Sequence, residues 1–400
     1  MTDGAANPAS TSWIGSASRF LLIAVIAFLT LVDLFATQVI LPGLTLRYGV
    51  SPATMGAAVS ACTFGMAAAS LLVALFADRI DRRAGIVLAL AILSVPTVLL
   101  AWAPTVTVFA ALRVVQGLCM ATAFSLTLAY LGERMTGAAA ARAFAAYVTG
   151  NVASNLIGRF VASGVAGSYG IDASFYVFAA LNLAGAGLVA ATIHRSEKMK
   201  QGVNHNRSPL AAVMTHLANP RLRDAFGFGF CILFVFIGVF TYVNFELGGT
   251  RFGLSMMALG SVYFVFLPSI LTTAQAGVLA GWIGLRGAAQ TGLALALAGV
   301  ALMLSDALPV MLLGMALVAV GTFLAQALAT GFVARAAKGD RAAASGLYLA
   351  SYFSGGLVGA IVLGQIYTTY GWGALVAAVA VTLLAAAVLC RRFDTLSTVG

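Results

Sequence analysis

The sequence predicts an all-α integral membrane protein, with twelve transmembrane helices in two six-helix, pseudo-symmetric bundles. Three observations carry that prediction. Of the 400 residues, 61% are hydrophobic and only 8% charged, with a mean hydropathy of +1.01, whereas roughly a quarter of a soluble globular chain is charged. Apolar stretches recur at about the 20 residues a helix needs to cross the hydrocarbon core. Basic residues collect on alternate connections between those stretches.

Taken in order, the spans lie near 20–41, 53–77, 84–103, 105–131, 142–167 and 173–193, then near 225–246, 254–276, 287–305, 308–334, 343–368 and 374–390. Ser51 followed by Pro52 is an N-cap with proline at the first helical position, and Pro104 separates the third and fourth spans. Pro268 is expected to kink the eighth span rather than end it. The first span should stay in the membrane, because the polar N-terminus lacks the basic start of a secretory signal. A polar stretch between the sixth and seventh spans reads as a linker, with a short amphipathic helix around Leu210 to Leu217 on the membrane surface. The expected domains are therefore 1–193, a linker at 194–223, and 224–400.

With both termini on the cytoplasmic side, all but four of the 22 Lys and Arg residues fall on that side. Arg47 and Arg251 lie outside, and Arg113 and Arg159 lie within spans. This asymmetry fixes the orientation and accounts for the formal charge of +10 without a nucleic-acid partner. The expected location is a bacterial cytoplasmic (inner) membrane. Four cysteines sit in apolar segments and three histidines in one polar stretch, spacings that read as neither a disulfide framework nor a metal site. No P-loop, HExxH or GxSxG motif occurs. An enzyme is not expected, nor a cofactor, and the energy source should be an ion gradient.

The halves repeat at an offset of about 200 residues, a design in which a site lies between two similar bundles. "ADRIDRRAG" after the second span corresponds to "AGWIGLRGA" after the eighth, and "SYG" at 168–170 to "TYG" at 369–371. "ALFADRIDRR" places Asp78, Arg79, Arg82 and Arg83 in the first of these loops, and the second copy keeps Gly277, Gly281, Gly284 and Arg286. "LRVVQG" contains Arg113 and Gln116, "VDLFATQVILP" contains Asp33 and Gln38, and "GNVASNLIGR" contains Ser154, Asn155 and Arg159.

On these motifs the chain resembles the major facilitator superfamily. Within it, the resemblance is to proton-coupled drug and sugar antiporters, nearest the YnfM-like, arabinose-efflux-permease-like branch. The first loop is similar to the pattern GxxxDRxGRR, with Ala74 and Asp81 standing where the family has glycines. The resemblance implies a cytoplasmic latch of Asp78, Arg79, Arg82 and Arg83 with Glu133, Arg134 or Arg142. It also implies a role in proton coupling for the fourth-span motif of Arg113. "GNVASNLIGR" takes the place of the antiporter motif GxxxGPxxGG, with Asn155 for the proline and Arg159 for the last glycine.

Counted at about 1.5 Å per residue from the outer helix ends, Asp33, Arg113 and Arg159 all sit roughly 13 Å deep, near the midplane. An isolated charge there is costly. The three are therefore expected to face one polar cavity, with Asp33 as the acid partner of Arg113. A carboxyl group's hold on its proton depends on its hydration and on neighbouring cations. Asp33 is accordingly expected to carry the proton.

The expected function is a proton-coupled efflux permease for a small organic molecule, acting as a monomer by alternating access. The alternative is a proton symporter or facilitator that imports a small solute, an organic anion among the options, since two arginines face one acid at mid-depth. Expected substrate contacts are Arg113, Arg159, Gln38, Gln116, Asn155, Tyr242, Asn244 and the preferred pair Tyr348 and Tyr352, with Tyr263 and Gln326 as further polar candidates.

Overall fold

The computed structural model describes residues 8–76, 80–135, 137–193, 209–337 and 340–396. Every regular element among them is helical. The first half holds α1 (Pro8–Val39), the short α2 (Leu41–Tyr48), α3 (Pro52–Phe76), α4 (Arg82–Leu99), α5 (Val106–Arg134), α6 (Gly137–Tyr169) and α7 (Ile171–Thr192). After α8 (Pro209–Ala218), the second half holds α9 (Pro220–Gly248), α10 (Met256–Val262), α11 (Leu267–Ala274), α12 (Ala276–Leu302), α13 (Leu308–Ala336) and α14 (Arg341–Leu389).

Ten described segments are long and apolar enough to cross a membrane, with α10 and α11 counted as one. The last of them, α14, is two spans. It breaks at Gly371, whose φ of +80° is a backbone state that costs glycine little and other residues much. Before the break, Gly355 and Gly359 lie against Phe230 and Phe234 of α9. After it, Leu389 has returned to Gly227 near the start of α9, so the chain has reversed. With α6, a 33-residue helix, the twelve expected spans are complete.

The caps follow the local sequence. Ser51 Oγ accepts from the backbone N–H of Thr54 at the start of α3 (3.1 Å). Asp81 caps α4 by accepting from Ala84 N (2.7 Å). One expectation fails in detail. The eighth span does not merely kink at Pro268 but passes through a 3-10 turn, Tyr263–Phe266, between α10 and α11. Pro268 has no N–H for the carbonyl of Phe264, and that oxygen takes the N–H of Leu267 instead.

The helix ends carrying Arg82, Arg223, Arg341 and Arg392 form a basic face. Arg47 and Arg251 lie on the far face, and both are paired. Arg47 bonds Asp172, and Arg251 bonds Asp306 (3.0 Å) and Glu246 (3.4 Å). At the basic face, Arg392 pairs with Asp224 (3.1 Å), and His216 of α8 bonds the carbonyl of Asp340 (2.8 Å).

Small residues set the helix spacing. A Cβ on Gly117 of α5 would overlap the carbonyl of Cys62, and one on Gly65 of α3 the carbonyl of Val114, so α3 and α5 cross backbone to backbone. The halves meet along two seams. In one, α3 lies antiparallel to the first leg of α14, with Ala53 by Gly364 at one end and Ala74 by Gly346 at the other. In the second, α6 meets α10 and α11 through Phe160 and Phe264 (ring centroids 5.4 Å apart) and through Gly164 and Met257.

Candidate functional site

Asp33 lies on α1, 3% exposed. Its carboxylate accepts from Asn182 Nδ2 of α7 at 2.8 Å and, among the described residues, enters no ion pair. The expected pairing with Arg113 takes another form. Arg113, fully buried, donates from Nη1 to the backbone carbonyl of Asp33 (3.1 Å) and to Gln116 Oε1 (2.7 Å). Its Nε donates to the carbonyl of Val59 in α3 (2.9 Å) and its Nη2 to Cys62 Sγ (3.0 Å). The reason is access: the fork reaches carbonyls of two neighbouring helices at once, a geometry suited to guanidinium.

Carboxylate and guanidinium are nevertheless joined through side chains. Asn182 Nδ2 also approaches Thr97 Oγ1 (3.4 Å), and Thr97 accepts from Gln116 Nε2 (2.7 Å). Asp33, Asn182, Thr97, Gln116 and Arg113 thus close a hydrogen-bonded ring through α1, α7, α4 and α5. Every member belongs to the first half, so the ring is internal to it. Asn182 Oδ1 is buried with no partner.

Arg159 stands elsewhere, which corrects the expectation of one shared cavity. At 100° per residue, Phe35 and Gln38 lie about 200° and 140° around α1 from Asp33, and Arg159 joins them on that opposite side. Its Nη2 donates to Gln38 Oε1. Its guanidinium sits 4.0 Å from the ring centroid of Tyr263, with Phe35 at 5.4 Å, Phe266 at 5.3 Å and Phe240 at 5.8 Å. Three of those four rings come from the second half. Asn244 of α9 completes the junction, donating to the carbonyl of Gln38 (3.1 Å) and accepting from Tyr263 Oη (2.8 Å). Arg159 is fully buried, and its Nε and Nη1 have no hydrogen-bond partner.

The remaining predicted contacts disperse. Asn155 is one turn from Arg159 on α6, donating to the carbonyl of Asn151 (3.4 Å). Tyr242 packs where α9 meets α14, its Oη donating to the carbonyl of Ala360 (2.6 Å). Tyr348 and Tyr352 stack on each other at 6.1 Å. Tyr348 lies on Gly229, about 22 Å along α9 from Asn244. A cleft of about 420 Å³ at the basic face, between Leu71, Leu217, Arg223 and Ser351, contains none of the predicted contacts. In the loop after α3, Arg82 is buried, with Nη1 near the carbonyl of Ile80 (3.4 Å), and Arg83 donates to the carbonyl of Ala190. Asp78, Arg79 and the side chains of Glu133, Arg134 and Arg142 lie outside the described residues.

Sequence reading missed Asn182, Thr97 and Cys62 because depth was counted for charges alone. The same count applied to amides places Asn182 within a turn or two of Asp33's level. The aromatic cage had no sequence signal beyond a phenylalanine-rich seventh span.

Twelve spans enclosing a polar ring, with a caged cation where the two halves meet, define a polytopic membrane transporter. The model of the Major Facilitator Superfamily matches residues 23–289, and the chain belongs to that family of carriers. It is 24% identical over 371 residues to the uncharacterized MFS-type transporter YybF of Bacillus subtilis (strain 168), covering 90% of this chain and 89% of that one. It is 23% identical over 381 residues to the inner membrane transport protein YnfM of Escherichia coli (strain K12), covering 90% and 86%. Among solved structures, a bacterial homolog to the human lysosomal transporter Spinster, inward-facing and occupied, aligns at a TM-score of 0.75 and 15% identity over 98% of each chain.

Proposed function

We propose that the chain is a proton-coupled exporter of a small organic molecule, working by alternating access as a monomer in a bacterial inner membrane. The basic face and both termini look to the cytoplasm, in keeping with the positive-inside rule. Residues 1–193 and 224–400 act as the two moving bodies, joined by 194–223.

One observation carries the reading: a dry carboxyl group held by an amide with an unused oxygen. As a carboxylate, Asp33 accepts from Asn182 Nδ2. Once protonated, it becomes a donor, and Asn182 Oδ1 is an acceptor with no other partner. The same amide can therefore serve both states of the acid. Around the ring, a change at Asp33 reaches Gln116 and Arg113, and through Arg113 the carbonyl of Val59 in α3, a helix that borders the second half. Substrate meets Arg159, Gln38, Asn155 and Asn244 where the halves join, on the opposite side of α1. Proton and substrate thus act on one helix from two sides.

The test uses everted vesicles energised to make their interior acid, with a pH-sensitive dye inside and a library of small organic solutes added outside. At least one solute is expected to discharge the gradient with the native chain but not with Asp33→Asn, at equal expression. Equal discharge by the variant overturns proton carriage by Asp33. A solute that deepens rather than discharges the gradient points to symport.

A further inference from the structure

Below Arg159, toward the basic face, both helices of the second seam carry buried polar atoms that the protein does not satisfy. On α6, Asn151, Asn155 and Arg159 are spaced by four and form one stripe. Ile157, 44% exposed, is two residues and so about 200° from both Asn155 and Arg159; the stripe therefore turns inward. On α11, Ser269 and Thr273 are likewise four apart, with Leu271, 67% exposed, midway between them on the outer side. Asn155, Arg159 and Ser269 are at most 1% exposed. Asn151 Oδ1, Asn155 Oδ1, Arg159 Nε and Nη1, Ser269 Oγ and Thr273 Oγ1 all lack a hydrogen-bond partner. Buried polar groups are almost always paired, so a run of exceptions on two facing helices calls for a cause.

The unused atoms specify a chemistry. Two adjacent guanidinium N–H groups form a fork that fits a carboxylate, and among the described residues no protein acid pairs with Arg159. Amide oxygens on the same stripe accept only from donors, and the two hydroxyls opposite can both give and accept. The aromatic rings around Arg159 suit a flat or cyclic body. We propose that this stripe is the binding site of a ring-bearing hydroxy acid, its carboxylate on Arg159 and its hydroxyl groups directed along Asn155 and Asn151 toward Ser269 and Thr273. A cation is repelled by Arg159. An acid without hydroxyls leaves the amide oxygens unpaired. This assignment rests on the reading of Arg159 as a substrate contact and gives that contact its substrate class.

The test is equilibrium binding to the full-length chain in lipid nanodiscs, with labelled 4-hydroxybenzoate as the probe and quinate, benzoate and tyramine as competitors. Quinate is expected to compete and tyramine to fail, with benzoate about tenfold weaker than 4-hydroxybenzoate. Arg159→Gln should abolish binding of every acid. Asn155→Ala should draw the affinities for 4-hydroxybenzoate and benzoate together. Competition by tyramine, benzoate as tight as 4-hydroxybenzoate, an unchanged ratio in Asn155→Ala, or no binding of any acid each overturns the proposal. The vesicle experiment separates the two readings. Asp33-dependent discharge by neutral or cationic solutes alone removes the substrate class and leaves proton-coupled export. Acids that bind but discharge nothing remove the coupling and leave the site.

Discussion

Asn182 donates to the carboxylate of Asp33 at 2.8 Å, whereas Arg113 meets the same residue only at its backbone carbonyl, at 3.1 Å. The acid therefore answers directly to an amide, and the guanidinium senses it through Gln116 and Thr97.

Asn182→Ala should accordingly impair gradient discharge nearly as much as Asp33→Asn, and the double variant should be no worse than the more severe single one. Residues that share one hydrogen-bonded network couple in this way. Loss of the buried bond should also cost about 1–3 kcal/mol of stability. Dye dequenching and thermal unfolding of the three variants test both statements; additive transport defects would place the two residues in separate devices.

Arg113→Lys should be poorly tolerated although it keeps the charge. An ammonium cannot reach the carbonyls of Val59 and Asp33, Gln116 Oε1 and Cys62 Sγ in the directions the fork does. The loss of at least two charge-assisted bonds predicts about 3 kcal/mol of destabilisation, measurable as reduced resistance to denaturation in mild detergent. A lysine variant as stable as the native chain would mean that the fork's bonds are dispensable.

Gly117→Ala should separate α3 from α5, since the added methyl group meets the Cys62 carbonyl. Overpacking of this kind costs about 1–3 kcal/mol. Gly187→Ala makes a control on α7: nothing lies within 4 Å of the added carbon, and the exchange should be neutral or stabilising by up to about 1 kcal/mol. Thermal unfolding of the pair reads the contrast.

Gly167 and Met256 approach across the second seam, with 3.7 Å between a Cβ on the glycine and that of the methionine, inside the range for a disulfide. Gly167→Cys with Met256→Cys, in a chain otherwise free of cysteine, should cross-link on oxidation, halt transport and recover on reduction. Transport that continues in the cross-linked chain would mean that this seam stays shut throughout the cycle.

The spans, their caps and the two-half organisation were legible because they depend on length, hydropathy and local capping, which a chain carries position by position. The mid-depth placement of Asp33, Arg113 and Arg159 was legible from the same counting. Which way each points was not. Asp33 and Gln38 are five residues apart yet face opposite sides of α1, one toward α7 and the other toward Arg159, and only the packing of neighbouring helices decides between those directions. Asn182 was passed over for a related reason: an uncharged amide in a span carries little penalty, so its sequence gives no alarm until its partner is known. Tyr242 shows the converse, an aromatic residue with a polar tip whose partner is a carbonyl of the adjoining helix.

The contact of α3 with α14 runs from Ala53 and Gly364 at the far face to Ala74 and Gly346 at the basic face. A line of touching held at both ends cannot be prised apart at one end without losing close backbone packing there. Rotation of one body against the other is cheapest about an axis lying in that line, as a door turns on its pin. Bulk added at Gly346 or Gly364 would then jam the swing in both directions, whereas bulk added at the second seam would block only one.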